Sequence, residues 1–203
     1  MEEIEPKIIG LTGAICSGKS AVAEYLRTKD YVVLDMDAIA KELMNSDKEL
    51  IVGIKKAFGE TAYIQDGDAP ERLNTKHIAE IAFNEPKKLA ELNRLTHPKA
   101  IEATMAQLEK LVDSGMPIIF VENALLFEVG LDDAFDYIIA VSAAEHIRKA
   151  RALKRGINEE DFFKRQAAQI DEKEKCACSD FVIDNSKSLE ELYASVDFIV
   201  DIL

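Results

Sequence analysis

The chain alternates short runs of consecutive apolar, β-branched residues with longer stretches whose apolar positions recur at helical spacing. Residues 7–12, 31–34, 117–121, 137–141 and 180–184 are of the first kind, and each predicts a strand. The run Ile118, Ile119, Phe120, Val121 has no polar alternation, which marks a strand covered on both faces. Helical spacing predicts helices over 18–28, about 37–44, 48–58, 75–83 and 86–95. A longer helix is predicted from His97-Pro98 onward, with Ile101, Met105, Leu108 and Val112 on one face and Gly115 and Pro117 as its stop. Residues 60–74, with Gly, Pro and Asp and few apolar positions, read as a turn-rich connection. Charged helices fill 143–175, with Ser142 and Glu145 at capping-box spacing, and 188–203 forms a closing amphipathic helix with its own box, Ser188 to Glu191.

Strands separated by helices predict an α/β fold with a five-stranded parallel sheet and right-handed crossovers. The helices inserted at 60–95 and the charged helices at 143–175 are its natural mobile parts. No repeat or low-complexity tract interrupts the pattern.

At 203 residues the chain fits one domain, or one domain with an insertion. Its 48% apolar and 31% charged residues are a globular composition. The net charge of −13 changes the picture more, because an acidic exterior repels nucleic-acid backbones and anionic membrane surfaces. A small anionic ligand stays possible if the positive charge is concentrated in one cleft. Residues 1–6 carry three glutamates and no apolar core, so no secretory segment is expected. No apolar run reaches the roughly 18–20 residues that span a bilayer. With three cysteines, an odd number, the expected compartment is the reducing cytoplasm. Cys176 and Cys178 have one residue between them and no second Cys or His pair, so no structural zinc is expected.

The most specific chemical signal is Gly13-Ala14-Ile15-Cys16-Ser17-Gly18-Lys19-Ser20, which satisfies G-x-x-x-x-G-K-[ST] between a predicted strand and a predicted helix. In this pattern, backbone N–H groups of residues 14–20 curl around phosphate and the helix N-terminus adds partial positive charge. Lys19 reaches the β- and γ-phosphates of a nucleotide, and the Ser20 hydroxyl is offered to Mg2+. A P-loop NTPase fold follows. Ala14 and Cys16 stand where glycines are common. Cys16, in a loop at a helix N-terminus, reads either as an oxidisable thiol or as a small neutral filler.

Asp35 and Asp37 close the second predicted strand, at the edge where open α/β sheets bind ligands. From spacing alone Asp37 is either a base that orients an attacking hydroxyl or the cap of the helix that begins there. Arg151 and Arg155 form an i, i+4 pair that reads as a solvated helix face when taken without context.

The residues 10–20, Gly-Leu-Thr-Gly-Ala-Ile-Cys-Ser-Gly-Lys-Ser, resemble the opening of dephospho-coenzyme A kinases, G-L-T-G-G-I-G-S-G-K-S. Asp35-Met-Asp37-Ala-Ile-Ala resembles the family's D-A-D-x-I-A, Leu95-Thr-His97-Pro98 its L-x-H-P, and Ala124-Leu-Leu-Phe-Glu128 its P-L-L-F-E. Arg151 to Arg155 resembles its R-x-x-x-R, and Arg165-Gln166-Ala-Ala-Gln169 and Val182-Ile-Asp-Asn185 its closing segments. The resemblance implies attack of the ribose 3′-hydroxyl of dephospho-coenzyme A on the γ-phosphate of ATP, with Mg2+ as cofactor. It implies Asp37 as general base and Arg151 and Arg155 as a lid over the phosphates. His97 is a candidate acceptor-site residue, its other reading being a cap or packing donor at a helix start. Thr75 stands where the family's L-[DN]-R has Arg, leaving Arg72, Lys76 or His77 as substitutes. Glu122-Asn123-Ala124 replaces D-x-P. A kinase for nucleoside monophosphates or another small acceptor would share the loop, the Asp pair and the Arg lid. The Ala14, Cys16 and Thr75 departures fit a catalytically weak nucleotide-binding module. His97-Pro98 and residues 124–128 favour the first reading, and no N-K-x-D segment is present to read guanine.

Overall fold

The computed structural model describes residues 5–65, 67 and 69–203. The first elements are strand β1 (Lys7–Gly13), helix α1 (Lys19–Thr28) and strand β2 (Val32–Asp35). Helices α2 (Met36–Ser46) and α3 (Lys48–Phe58), the short strands β3 (Tyr63–Ile64) and β4 (Arg72–Leu73), and helices α4 (Thr75–Asn84) and α5 (Pro86–Asp113) follow. Then come strands β5 (Ile118–Glu122) and β6 (Tyr137–Ser142) and helices α6 (Glu145–Lys154), α7 (Glu159–Ala167) and α8 (Glu172–Ala177). Strand β7 (Phe181–Asp184) and helix α9 (Leu189–Ile202) close the order. The chain divides into two compact units, Met1–Asp35 with Leu108–Leu203, and Met36–Gln107. The segment 60–95 lies within the second. Residues 1–4 of the acidic opening, and residues 66 and 68 of the turn-rich connection, lie outside the described residues.

The first unit is built on a parallel sheet in the order β2-β5-β1-β6-β7. β1 is its centre, with Leu11 opposite Glu122 of β5 and Gly13 opposite Val141 of β6. The unbroken apolar runs foreseen for β1, β5 and β6 are the buried strands: Ile9, Leu11, Ile119, Phe120 and Val121 are fully covered. Val22, Ala23 and Leu26 of α1 and Leu192, Val196 and Ile199 of α9 pack on them as one core. The ring of Tyr25 stacks on that of Tyr193 with centroids 4.0 Å apart. The Ser188–Glu191 capping box starts α9 as expected. Because the strands are parallel, Gly13, Asp35, Glu122, Ser142 and Asp184 end at one edge of the sheet. Asp35 is in register with Glu122, and Ser142 with Asp184.

The second unit has its own core of Ile54, Phe58, Ala62, Tyr63, Leu73, Ile78 and Ala82. Two expectations are corrected here. The turn-rich connection contains an antiparallel pair, with Tyr63 opposite Leu73 and Ile64 opposite Arg72. Two-residue strands are too short to show alternation, but burial of Tyr63 and Leu73 against α3 and α4 holds them. The break expected at His97-Pro98 is absent, because α5 is one helix with Pro98 inside it. A proline removes the hydrogen bond to the carbonyl four residues back. Here that is Arg94, and both Arg94 and Pro98 are exposed, so the lost bond falls at a solvent-exposed position and not in the core. His97 therefore sits mid-helix.

A third correction falls at α6. The capping box from Ser142 does not form: Ser142 ends β6, and the N-cap is Ala144, without a side-chain cap. The amides at this start are taken from elsewhere, Ala143 N–H donating to Glu172 Oε1 (3.1 Å) and Ala144 N–H to Ser186 Oγ (3.0 Å).

Candidate active site

The loop between β1 and α1 turns at the carboxyl edge of the sheet. Ser17 N–H donates to the Ala14 carbonyl (3.0 Å), and Gly18 is the N-cap of α1. Gly18 has φ +106, a left-handed conformation that favours glycine. A Cβ there would come 1.9 Å from Asn185 Nδ2. Cys16, with φ +59, is also left-handed, which explains why glycine is common at its position.

Lys19 and Ser20 leave the loop on the first turn of α1 and converge on one buried carboxylate. Lys19 Nζ lies 2.6 Å from Glu122 Oε1, and Ser20 Oγ donates to the same oxygen at 3.0 Å. Glu122 is 2% exposed, at the end of β5. So the carboxylate that replaces the family Asp closes on the loop's own lysine and hydroxyl. Two hard oxygen donors beside each other, Ser20 Oγ and Glu122, suit a divalent cation such as Mg2+.

Arg151, on α6, braces the loop from its carbonyl side. Its Nη1 donates to Ser17 O (3.0 Å) and Cys16 O (3.5 Å), and its Nη2 to Asn185 O (2.8 Å). Asn185 Nδ2 donates to Ser17 O at 2.7 Å. Arg155 is the C-cap of the same helix and is exposed. A further tie reaches Ile15, whose N–H donates to Gln169 Oε1 at 2.8 Å. Buried Arg148 binds inside the charged segment, to Ala143 O, Gln166 Oε1 and Glu172, over the Phe162 ring.

In the second unit, Asp37 lies in the exposed first turn of α2, immediately after β2. His97 is half-buried: burial pushes its imidazole below the ordinary value, and the Asp37 carboxylate opposes that shift. The two residues singled out for the acceptor are thus brought within electrostatic reach of each other. Thr75 is the exposed first residue of α4. Of its proposed substitutes, Arg72 is exposed on β4, Lys76 is exposed, and the His77 ring is hydrogen-bonded to Thr61 Oγ1 (3.0 Å).

In the sequence, Asn185 and Gln169 stand out only as parts of segments that resemble the family's. For Asn185 a signal existed, since it follows the last strand at the ligand-binding edge. For Gln169 no local signal exists, because its partner Ile15 is 154 residues away.

A phosphate loop between the central strand and the first helix of a parallel sheet, with lysine and serine turned onto a carboxylate from the neighbouring strand, defines a P-loop NTPase fold equipped for phosphoryl transfer. Residues 7–191 match the model of the dephospho-CoA kinase family. A dephospho-CoA kinase of Chlorobaculum tepidum is 41% identical over 192 residues, 95% of this chain and 92% of that protein. A crystal structure of a Thermus thermophilus protein superposes with a TM-score of 0.78 at 34% identity, covering 98% of each chain. A dephospho-CoA kinase of Campylobacter jejuni shares the fold, with a TM-score of 0.69 at 22% identity over 96% of this chain and 95% of that one. The chain belongs to the dephospho-CoA kinase family.

Proposed function

We propose that this chain transfers the γ-phosphoryl group of ATP to the ribose 3′-hydroxyl of dephospho-coenzyme A, giving coenzyme A and ADP. The observation that carries the reading is the convergence of Lys19 and Ser20 on buried Glu122 beneath a phosphate loop, in a chain of this family. Loop amides and the α1 N-terminus receive the nucleotide phosphates. Lys19 moves between Glu122 and the β- and γ-phosphate oxygens. Ser20 and Glu122 are the residues that would hold Mg2+, which when bound neutralises charge on those oxygens.

Asp37 orients the acceptor hydroxyl and takes its proton as the new O–P bond forms and the bond to the β–γ bridging oxygen breaks. Asp37 follows β2 by two residues, and β2 ends in register with Glu122. His97 supports the acceptor side. Arg151 holds the loop's shape and lends its charge to the phosphates, and Arg155, exposed at the helix end, is the member of the pair free to close over them and exclude water. We assign the work to the cytoplasm, with a small-molecule acceptor and no nucleic-acid or membrane partner.

The test is ADP release with ATP, Mg2+ and a panel of hydroxyl acceptors. Turnover that requires dephospho-coenzyme A is expected. ATP binding without turnover on that acceptor would overturn the reading. Asp37→Asn is expected to lower kcat by about two orders of magnitude or more with ATP affinity little changed.

A further inference from the structure

The segment 168–175, the link between α7 and α8 together with the first residues of α8, is tied to the residues after β5. Ile170 N–H donates to Glu128 Oε1 at 2.9 Å, Lys175 Nζ lies 3.2 Å from the same oxygen, and it donates to Ala124 O at 2.6 Å. Lys175 is wholly buried. Burial pushes its ammonium below the ordinary value, with Glu128 opposing and Lys19 adding to the shift. A buried ammonium is tolerated only where fixed partners replace water. Residues 124 and 128 provide them, so the segment is located by directional bonds rather than by apolar contact alone.

The residue this anchored segment carries toward the loop is Gln169. Its Oε1 accepts from Ile15 N–H at 2.8 Å, and its Nε2 donates to Ala124 O at 3.2 Å. With a donor on one side and a carbonyl on the other, only one orientation of the carboxamide satisfies both. The Ala14–Ile15 peptide is consequently held at both ends, its carbonyl by Ser17 N–H (3.0 Å) and its N–H by Gln169. Cys16 follows at once in the left-handed conformation. A rotation of this peptide would therefore re-aim the amides that come after it. Amides stabilise phosphoryl transfer only when they are aimed in advance.

We propose that Gln169 is a positioning residue for phosphoryl transfer, locking the Ala14–Ile15 peptide of the phosphate loop and joining it to Ala124, just past the strand that carries Glu122. The proposal rests on the kinase reading for its chemistry but not for its geometry. Gln169 touches no reacting atom; it acts through the shape of the loop.

Gln169→Met keeps the length of the side chain and removes both hydrogen bonds. We expect amide hydrogen exchange at Ile15 to quicken about tenfold or more. We expect kcat to fall about tenfold or more while the dissociation constant for ADP changes less than about threefold. Gln169→Glu, which keeps an acceptor for Ile15 N–H, is expected to restore the protection of that amide. An unchanged kcat would overturn the proposal. So would tighter ADP binding in Gln169→Met, which would make Gln169 a competitor of phosphate. A joint loss of kcat, ADP binding and thermal midpoint would also overturn it, leaving a merely structural contact. If the wild-type chain shows no turnover of dephospho-coenzyme A, the acceptor reading fails by itself. Ile15 exchange, ADP binding and slow transfer to water then decide for or against Gln169.

Discussion

Lys19 Nζ lies 2.6 Å from Glu122 Oε1 although the two residues are 103 positions apart in the chain. The lysine side chain is 11% exposed and the glutamate 2%. A buried carboxylate stripped of its cation is costly, so Lys19→Met should lower stability by about 3 kcal/mol as well as abolish turnover. Glu122→Gln leaves a neutral acceptor for both Lys19 and Ser20 and should cost less in stability. It should raise the Mg2+ concentration for half-maximal activity about tenfold or more. The double variant K19M/E122Q should recover most of the lost stability and none of the activity. Urea titration and Mg2+ dependence of ADP release check both halves. Full stability in Lys19→Met would show that Glu122 does not depend on its lysine.

The backbone at Gly18 permits a second test. A side chain there meets the Asn185 carboxamide at 1.9 Å and adopts φ +106. Gly18→Ala should cost about 2 kcal/mol or more, part of it steric and part of it conformational. Adding Asn185→Ala removes the clash but not the unfavourable φ, so it should restore only part of the stability. It also strips one donor from Ser17 O, which keeps Arg151 at 3.0 Å. The melting midpoints of the single and double variants measure the split, and a complete rescue would mean the backbone carries no strain.

What could be read in advance was what lies contiguous along the chain. Ile118 to Val121 declares a buried strand because four neighbours are apolar, and residues 13–20 declare a phosphate loop because the spacing of Gly, Lys and Ser is the chemistry itself. Asp35 at the end of β2 and Asp37 in the first turn of α2 are legible for the same reason. What escaped were relations set by tertiary packing. Pro98 stops a helix in the local rule, yet its exposed face lets α5 continue. Tyr63 and Leu73 pair only because both are buried on α3 and α4. Ser142 and Glu145 have the spacing of a capping box, but Glu172 and Ser186 supply the acceptors instead. Spacing alone leaves Arg151 and Arg155 as a solvated helix face and the family resemblance makes them a lid over the phosphates, but neither shows the Arg151 guanidinium against Ser17 O and Asn185 O.

Cys16 makes the loop's second left-handed residue a question of propensity rather than of contact. An L-residue at φ +59 costs about 1–2 kcal/mol, whereas glycine there costs only its extra freedom in the unfolded chain, about 0.5–1 kcal/mol. Cys16→Gly should therefore leave stability unchanged or raise it by up to about 1 kcal/mol, with turnover retained. Cys16→Val, β-branched and ill-suited to positive φ, should lose about 1–2 kcal/mol. If thermal melts place valine level with cysteine, the loop does not hold this conformation in solution.

His97 and Asp37 give the stability a pH dependence that can be signed. Burial lowers the folded-state pKa of His97 below its ordinary 6.5, and the carboxylate of Asp37 limits the drop. The unfolded chain then binds a proton more readily than the folded one between those two values. The stabilising contribution of neutral His97 is fully present above about pH 6.5 and is lost as the pH falls through the lower, folded value. Urea melts at pH 7.5 and pH 5 should show a fall in stability that is smaller in His97→Gln, since the amide does not titrate. Asp37→Asn removes the carboxylate that opposes the shift, so it should move the His97 titration, followed by imidazole NMR, to still lower pH. An unmoved or raised His97 pKa in that variant would separate the two side chains and overturn the acceptor-side pairing proposed for them.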